Sequence, residues 1–284
     1  MKIGIITFAK YEGRKDIGSS RIRGEWLANN CGDTEIFIQG KAYDVVIYQK
    51  AYWVEHAKLF KGIKILDLCD PDWLHWGYRI KEMIEEVDAV TTSTETLADA
   101  VRKFTDKPVV CIPDRIDLDY YKNKKVHVGD AKLVVWFGYH NNFAILSPVV
   151  MFLIKENLDL IVISNRNFVE QNNEKGKINV TNIRWKEEDA DINILEGDIV
   201  INPQGKSGKW KYKSDNKTFI SWALGMPVAK NVDDLKRFIS EEERIKEVKI
   251  RRKELEEKWA IKYSVAEMKA LIKKIEITNK RFNR

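Results

Sequence analysis

Two stretches hold most of the side chains whose types and spacing could do chemistry. The first is Lys-Trp-Lys-Tyr-Lys-Ser-Asp-Asn-Lys-Thr, residues 209–218, which runs into an apolar helical pattern closed by Gly225 and Pro227. Lys206, Lys209, Lys211, Lys213 and Lys217 crowd the start of that helix, and Asp215 alone opposes them. The first turn of a helix presents unpaired backbone N–H groups and a partial positive charge. Cations ahead of such a turn make an anion site, and a diphosphate is the anion that suits it. Ser214 has the side chain of an N-cap, so the helix is expected from about Asp215, and Gly225 stands where a C′ glycine would end it. Asn216 and Thr218 add polar groups to the first turn. The same residues would also serve as a solvated loop ahead of an ordinary helix.

The second stretch is Leu-Asp-Leu-Cys-Asp-Pro-Asp-Trp-Leu-His-Trp, residues 66–76. Asp70 follows an apolar run directly, with Asp72, Trp73 and His75 behind it. A carboxylate at the end of a strand can take a proton from an attacking hydroxyl, and aromatic rings offer flat apolar faces to a ligand. Alternatively, Asp70 caps the next helix and the tryptophans are core. Two smaller groups complete the candidates. Asp16, Ser19, Ser20, Arg21 and Arg23 lie between the first strand and the first helix. Arginine suits bidentate phosphate contact. Arg21 and Arg23 are two apart, so they point to different faces, and Arg21 is the one expected at the ligand side. Asp16 is a second candidate base. In Gly138-Tyr139-His140-Asn141-Asn142, Gly138 allows close backbone approach to a phosphate, and His140 and Asn141 stand at a strand's carboxyl end. A local turn is the plainer reading. His56 and His127 read as surface residues.

The elements that must position these groups alternate. Short apolar runs (KIGIITF, DVVIYQ, KILDLCD, DAVTTST) are separated by helical patterns, which predicts parallel strands covered on both faces. Residues 121–131 are polar, basic and without period, and read as a linker. Alternation then restarts with KLVVWFG, LDLIVIS and DIVINP. Ligands of such sheets bind at the carboxyl ends of the strands. No GxGxxG fingerprint is present, which disfavours NAD. The charged segment from Glu241 reads as a helical tail, interrupted near 261–263 with Ser264 as the cap of its last helix.

The 284 residues allow two domains, and 44% hydrophobic content allows substantial cores. A net charge of +6 fits an anionic substrate, an acidic surface or simple solubility. The three cysteines form no CxxC or Cys/His cluster, so zinc is not expected and a reducing, cytoplasmic setting is. No run approaches a membrane span in length.

Four segments, in order, carry a resemblance. They are IGSSRIRG; VDAVTTSTETLADAVRKF with the later VVCIPDRIDLDYY; LVVWFGYHNN; and KSDNKTFISWALGMPVA. Together they resemble GT-B-fold glycosyltransferases of the large nucleotide-sugar-dependent class. The resemblance implies an α/β fold of two Rossmann-like domains facing a cleft, with a C-terminal helical tail. Residues 1–120 would form the acceptor-side domain, 132–260 the nucleotide-sugar domain, and 261–284 a tail packing back toward the first domain. It implies a metal-independent, hexosyltransferase-type enzyme with a UDP- or GDP-sugar donor. Gly138, His140, Asn141, Lys211, Lys213, Ser214, Asn216, Lys217 and Thr218 would bind the donor. Asp70 or Asp16 would act in catalysis, and Ser20, Arg21, Asp72, Trp73 and His75 would line the acceptor side. The acceptor is open among a glycan, a lipid-linked or small molecule, and hydroxylated bases in phage-type DNA. Many members carry two glutamates eight positions apart at the donor; here those positions are Tyr212 and Ile220. A non-catalytic nucleotide- or glycan-binding protein of the same fold is the alternative.

Overall fold

The computed structural model describes residues 1–14, 17–169, 177–203, 205 and 208–282, without the side chains of His75, Trp76, Tyr78, Lys209, Arg281 and Phe282. The chain divides into two compact units: Met1–Asp117, Ser207–Ser214 and Ala260–Arg284 form the first, and Leu118–Lys206 with Asp215–Trp259 the second.

Unit 1 is built on six parallel strands, β1 Ile3–Thr7, β2 Thr34–Ile36, β3 Val45–Gln49, β4 Ile63–Leu68, β5 Ala89–Thr92 and β6 Val109–Cys111, in the order β2-β1-β3-β4-β5-β6. β1 and β3 are buried along their whole length. Their alternating side chains therefore feed two cores. Val46, Tyr48, Leu66 and Leu68 face the helix Trp73–Glu86 through Ile80 and Met83. Ile3, Ile5, Val45, Ile47 and Ile65 face the C-terminal helix Ile261–Phe282 through Met268, Leu271, Ile272 and Ile275. Burying apolar runs on both faces is what makes these strands read as continuous hydrophobic segments.

Unit 2 has five parallel strands, β7 Leu133–Phe137, β8 Asp159–Ser164, β9 Val180–Arg184, β10 Ile199–Ile201 and β11 Val228–Ala229, in the order β11-β10-β7-β8-β9. Val134, Trp136, Leu160, Val162, Ile199 and Ile201 meet Val149 and Leu153 of the helix Ser147–Glu156, and Leu235 and Phe238 of the helix Val232–Phe238.

Several local expectations are corrected. The basic segment Gly208–Tyr212, read with the second half of the sequence, is a short 3-10 helix that groups with unit 1. Its Tyr212 packs against the unit 1 core, edge-on to Trp73 at 5.5 Å between ring centres. Ser264 caps nothing: it lies inside the helix Ile261–Phe282, buried, with its hydroxyl donating to the carbonyl of Pro113 at 3.3 Å. His127 is buried rather than superficial, because its ring replaces solvent with two hydrogen-bond partners, Gly225 and Arg244. His56 is half-buried, stacked between Trp53 and Phe60, with Nδ1 2.8 Å from the hydroxyl of Tyr48. No helix among the described residues is long and apolar enough to cross a membrane.

Candidate functional site

In unit 1, parallel pairing of β3 with β4 sets Gln49 beside Asp67. The residues just past the two strands are therefore neighbours, and they form a charged cluster. Lys50 leaves β3 with φ +51°, a left-handed backbone that a non-glycine residue adopts only at a cost, of order 1–3 kcal/mol. Its N–H donates to the carbonyl of Asp67 at 2.9 Å, which fixes the turn. Its ammonium lies 2.6 Å from Oδ2 of Asp70 and 3.3 Å from Oδ2 of Asp72, and 5.2 Å from the centre of the Phe8 ring. Lys213 pairs with the other oxygen of Asp70. Asp72 accepts a hydrogen bond from the hydroxyl of Tyr52 at 2.7 Å.

These contacts separate the two carboxylates electrostatically. Burial raises the proton affinity of both. At Asp70 the Lys50 and Lys213 ammonium groups more than offset it, and the carboxyl lies below its ordinary value. At Asp72 burial wins over Lys50 and Tyr52, and the carboxyl lies above. Lys50 is lowered by burial, but the groups around it, Asp70 and Asp72 among them, hold it well above the usual lysine range.

Most other candidates in unit 1 are bound into buried contacts. Ser214 is not the helix cap that its type suggested. Its hydroxyl donates instead to Asp114. Asp114 in turn accepts from Nη1 of Arg23 at 2.8 Å, while Arg23 grips Asp67 with two bonds of 2.6 and 2.8 Å. Arg23 is thus committed to a buried network. Arg21 is also buried, its guanidinium 5.9 Å from the Trp26 ring centre. Ser20 is buried and donates to Gln49 at 3.1 Å, holding the β1 and β3 ends together. Lys211 sits over its neighbour Tyr212 at 4.9 Å. Asp16 and the His75 side chain lie outside the described residues.

In unit 2, the helix Asn216–Ala223 begins after Asp215, which occupies the N-cap position without capping through its side chain. The Asp215 carboxylate is engaged by the Lys230 ammonium at 2.7 Å and by the Thr218 hydroxyl at 3.3 Å. Asn202, after β10, donates to that same hydroxyl at 3.1 Å. At the helix's other end Gly225 takes φ +73°, and the N–H groups of Gly225 and Met226 return to the carbonyls of Trp222 and Ser221, a Schellman closure.

Lys217, in the first turn, reaches the end of β7. Its ammonium lies 4.7 Å from the centre of the Trp136 ring and 5.9 Å from that of Phe137. Gly138, with φ +150°, makes room for it: a Cβ there would stand 2.3 Å from the lysine nitrogen. His140 lies in the turn His140–Ile145, its N–H donating to Oδ1 of Asn165 at 3.0 Å and its Nδ1 2.9 Å from the Asn165 amide nitrogen. The same Nδ1 lies 3.1 Å from Oδ1 of Asn165. Asn141 is exposed beside it.

The sequence candidates therefore fall into two groups. Asn216, Lys217, Thr218, Gly138, His140 and Asn141 share the carboxyl ends of β7 and β10 in unit 2. Lys213 stands with Asp70, Asp72 and Lys50 in unit 1, and Trp73, Lys211 and Ser214 belong to the same unit. Lys50, Tyr52, Asn165 and Asn202 were not singled out from sequence. Each lies one to three residues past a strand's carboxyl end, a position rule that could have found them. Among the described residues no group of three or more His, Cys, Asp or Glu side chains is placed to hold a metal ion.

Two parallel-stranded units with helices on their sheets, the second with a helix N-terminus and glycine turn at its strand ends, define a GT-B glycosyltransferase fold. The chain is similar in structure to the T4 phage β-glucosyltransferase BGT solved with its UDP-glucose substrate: TM-score 0.62, 14% identity, 95% of this chain and 99% of that one. It is similar also to HepE of Anabaena solved with UDP-glucose, with TM-score 0.65, 10% identity and the same coverages of 95% and 99%. A further structure, of a DNA-modifying β-glucosyltransferase, matches at TM-score 0.60 and 14% identity over 95% of this chain and 99% of that one. No known family profile and no curated protein matches the sequence.

Proposed function

We propose that the chain is a glycosyltransferase that takes a sugar from a nucleotide-diphosphate donor, a UDP-sugar by preference over a GDP-sugar. The observation that carries this reading is in unit 2. Lys217 and the first turn of its helix meet the Gly138 turn, and the ammonium lies against the glycine with no side chain between. A diphosphate there gains backbone N–H donors, the helix dipole and one cation. Those groups stabilise the departing diphosphate, the task that a divalent cation performs in other sugar transferases. The His140 ring and the Asn141 amide add polar groups. The likeness to two structures solved with UDP-glucose supports the choice of nucleotide.

The acceptor side belongs to unit 1. Asp72, with its raised proton affinity, is the better proton acceptor of the carboxylate pair. Asp70, kept anionic by two ammonium groups, orients the hydroxyl that attacks. A glycan, a lipid-linked sugar or a small molecule suits this arrangement. A hydroxylated base in DNA is the acceptor that the likeness to a DNA-modifying enzyme supports. The three free cysteines support work in a reducing cytoplasm.

A thermal-shift series with UDP-, GDP-, ADP- and CMP-sugars tests the donor reading. A ligand that binds the folded chain raises its melting temperature by mass action. UDP-glucose is expected to raise it, and Lys217→Ala to abolish the rise; an unchanged rise in the variant refutes the diphosphate assignment. Release of UDP over hours separates an enzyme from the second reading, a binding protein without turnover. That second reading draws on one feature: Ile220 is buried where a donor-contacting carboxylate is common.

A further inference from the structure

The two long helices of the C-terminal segment treat their cations differently. In Glu241–Glu254, the cations Lys246, Arg251, Arg252 and Lys253 each pair with a glutamate three or four residues away, at 2.6 to 3.7 Å, and among the described residues Lys249 is its one exposed cation without a carboxylate partner. That is the pattern of a self-neutralised solvated helix. The helix Ile261–Phe282 does otherwise. Lys262, Lys269, Lys273 and Lys280 are all exposed on it. Only Lys280 has a carboxylate partner, Glu276 at 2.7 Å, and among the described residues Lys262, Lys269 and Lys273 have none within ion-pairing distance.

The spacing aligns them. At about 100° per residue, steps of 7, 11 and 18 positions return to within about 20° of one azimuth. At about 1.5 Å per residue they stand at about 0, 10, 16 and 27 Å along one line. The opposite side of the helix is anchored, because Met268, Leu271, Ile272 and Ile275 are buried in the unit 1 core. The lysines therefore form a straight row on a rigid mount.

We propose that this row docks the phosphate backbone of a nucleic-acid duplex. With both strands counted, a duplex carries one phosphate per ~1.7 Å of axis, so a straight cationic row about 27 Å long laid against it faces anionic charge along its whole length. A membrane surface fits less well. A helix lying in an interface needs its apolar side free to insert. Here that side is spent in the core, and among the described large apolar side chains of this helix Ile277 alone is exposed, at 46%. The row also lacks the aromatic and arginine anchors of a protein-binding hot spot. A row of four ammonium groups, three of them without a carboxylate partner among the described residues, suits a uniform anionic rod. The inference requires neither the donor nor the acceptor reading above.

The test is fluorescence anisotropy of the full chain with an end-labelled duplex of about 20 base pairs, from about 50 to about 200 mM salt. Four phosphate contacts predict that log K falls with log[salt] at a slope of about −3.5. Lys269→Ala with Lys273→Ala is expected to remove about two units of that slope. Lys246→Ala with Lys253→Ala, on the self-paired helix, is expected to leave it unchanged. Equal slopes for the row variant and the unsubstituted chain overturn the proposal, as does a flat salt response. Binding to phosphatidylserine vesicles without binding to the duplex assigns the row to lipid and overturns it as well. Duplex binding with no sugar transferred leaves this proposal standing and removes only the DNA acceptor. Unchanged far-UV circular dichroism confirms that the surface variants remain folded.

Discussion

Lys50 concentrates the chemistry of unit 1 in one side chain. It accepts a left-handed backbone and burial, and in exchange bridges Asp70 and Asp72. Removing one member of a buried ion pair leaves the other charge uncompensated, at a cost on the order of 3 kcal/mol. Lys50→Met is therefore expected to destabilise the chain by about that amount at neutral pH, measured by denaturant unfolding. The pH dependence has a definite sign. Asp70 is depressed below its ordinary value of 3.8, so its stabilising contribution is present above that value and lost as pH falls through the folded-state pKa. The deficit of the variant should persist from pH 7 to about pH 5 and narrow only below about pH 4. A deficit that does not change in acid would separate Lys50 from the carboxylates. Asp70 and Asp72 were legible in the sequence because they follow an apolar run. Lys50 and Tyr52 were not, since their role depends on which strand lies beside β4, and Val-Val-Ile-Tyr-Gln does not say that its neighbour ends in Asp-Leu-Cys-Asp.

At the scale of elements, the linker is the part that sequence reading described least well. Residues 121–131 are polar and aperiodic, yet the segment is pinned at both ends of its basic run. Lys125 donates its N–H to Leu224 at 2.9 Å, and His127 sits between the carbonyl of Gly225 at 2.9 Å and Nε of Arg244 at 3.3 Å. Arg244 is fully buried and also donates to Phe238, Ile239 and Gly129. Since Arg244 can only donate, Nδ1 of His127 must accept, and the ring is neutral with its proton on Nε2. Burial first, and the Arg244 charge with it, lower the histidine pKa below its ordinary 6.5. A depressed histidine stabilises the fold above its unfolded pKa and loses that contribution as pH falls toward the folded value. Stability should therefore decline below about pH 6.5, and His127→Gln should flatten that decline. Thermal melts between pH 5 and pH 8, about the range where histidine titrates, check it. The helix Asn216–Ala223 was the better-read element. Gly225 and Pro227 marked its end correctly, whereas Ser214 was misplaced by one position, because its hydroxyl found the Asp114 carboxylate rather than a backbone N–H. A serine's type cannot reveal a competing acceptor a hundred residues away.

For the whole chain, the alternation of apolar runs and helical patterns was sufficient to read the two parallel sheets, since strands buried on both faces leave an unambiguous composition. What composition could not reveal is that unit 1 is discontinuous, taking in Gly208–Ser214 and the last helix. That helix supplies Met268, Leu271, Ile272 and Ile275 to one face of the first sheet. Losing a buried leucine, isoleucine or methionine side chain costs about 2–5 kcal/mol, so losing four exceeds the whole stability of an ordinary domain, about 5–15 kcal/mol, or comes close to it. Removal of residues 261–284 is expected to abolish amide-exchange protection in β1, β3 and β4 while β7, β8 and β10 keep theirs. Retained protection in β1 and β3 would contradict it.

The same discontinuity orders events at the ribosome. Strands β1, β3 and β4 are made well before the helix that covers one of their faces. Every segment of unit 2 emerges before it. During synthesis Ile3, Ile5, Val45, Ile47 and Ile65 therefore wait uncovered for about two hundred codons. The unit whose strands are made earlier is therefore completed after the other, and until then it is the natural client of chaperones that hold apolar strands.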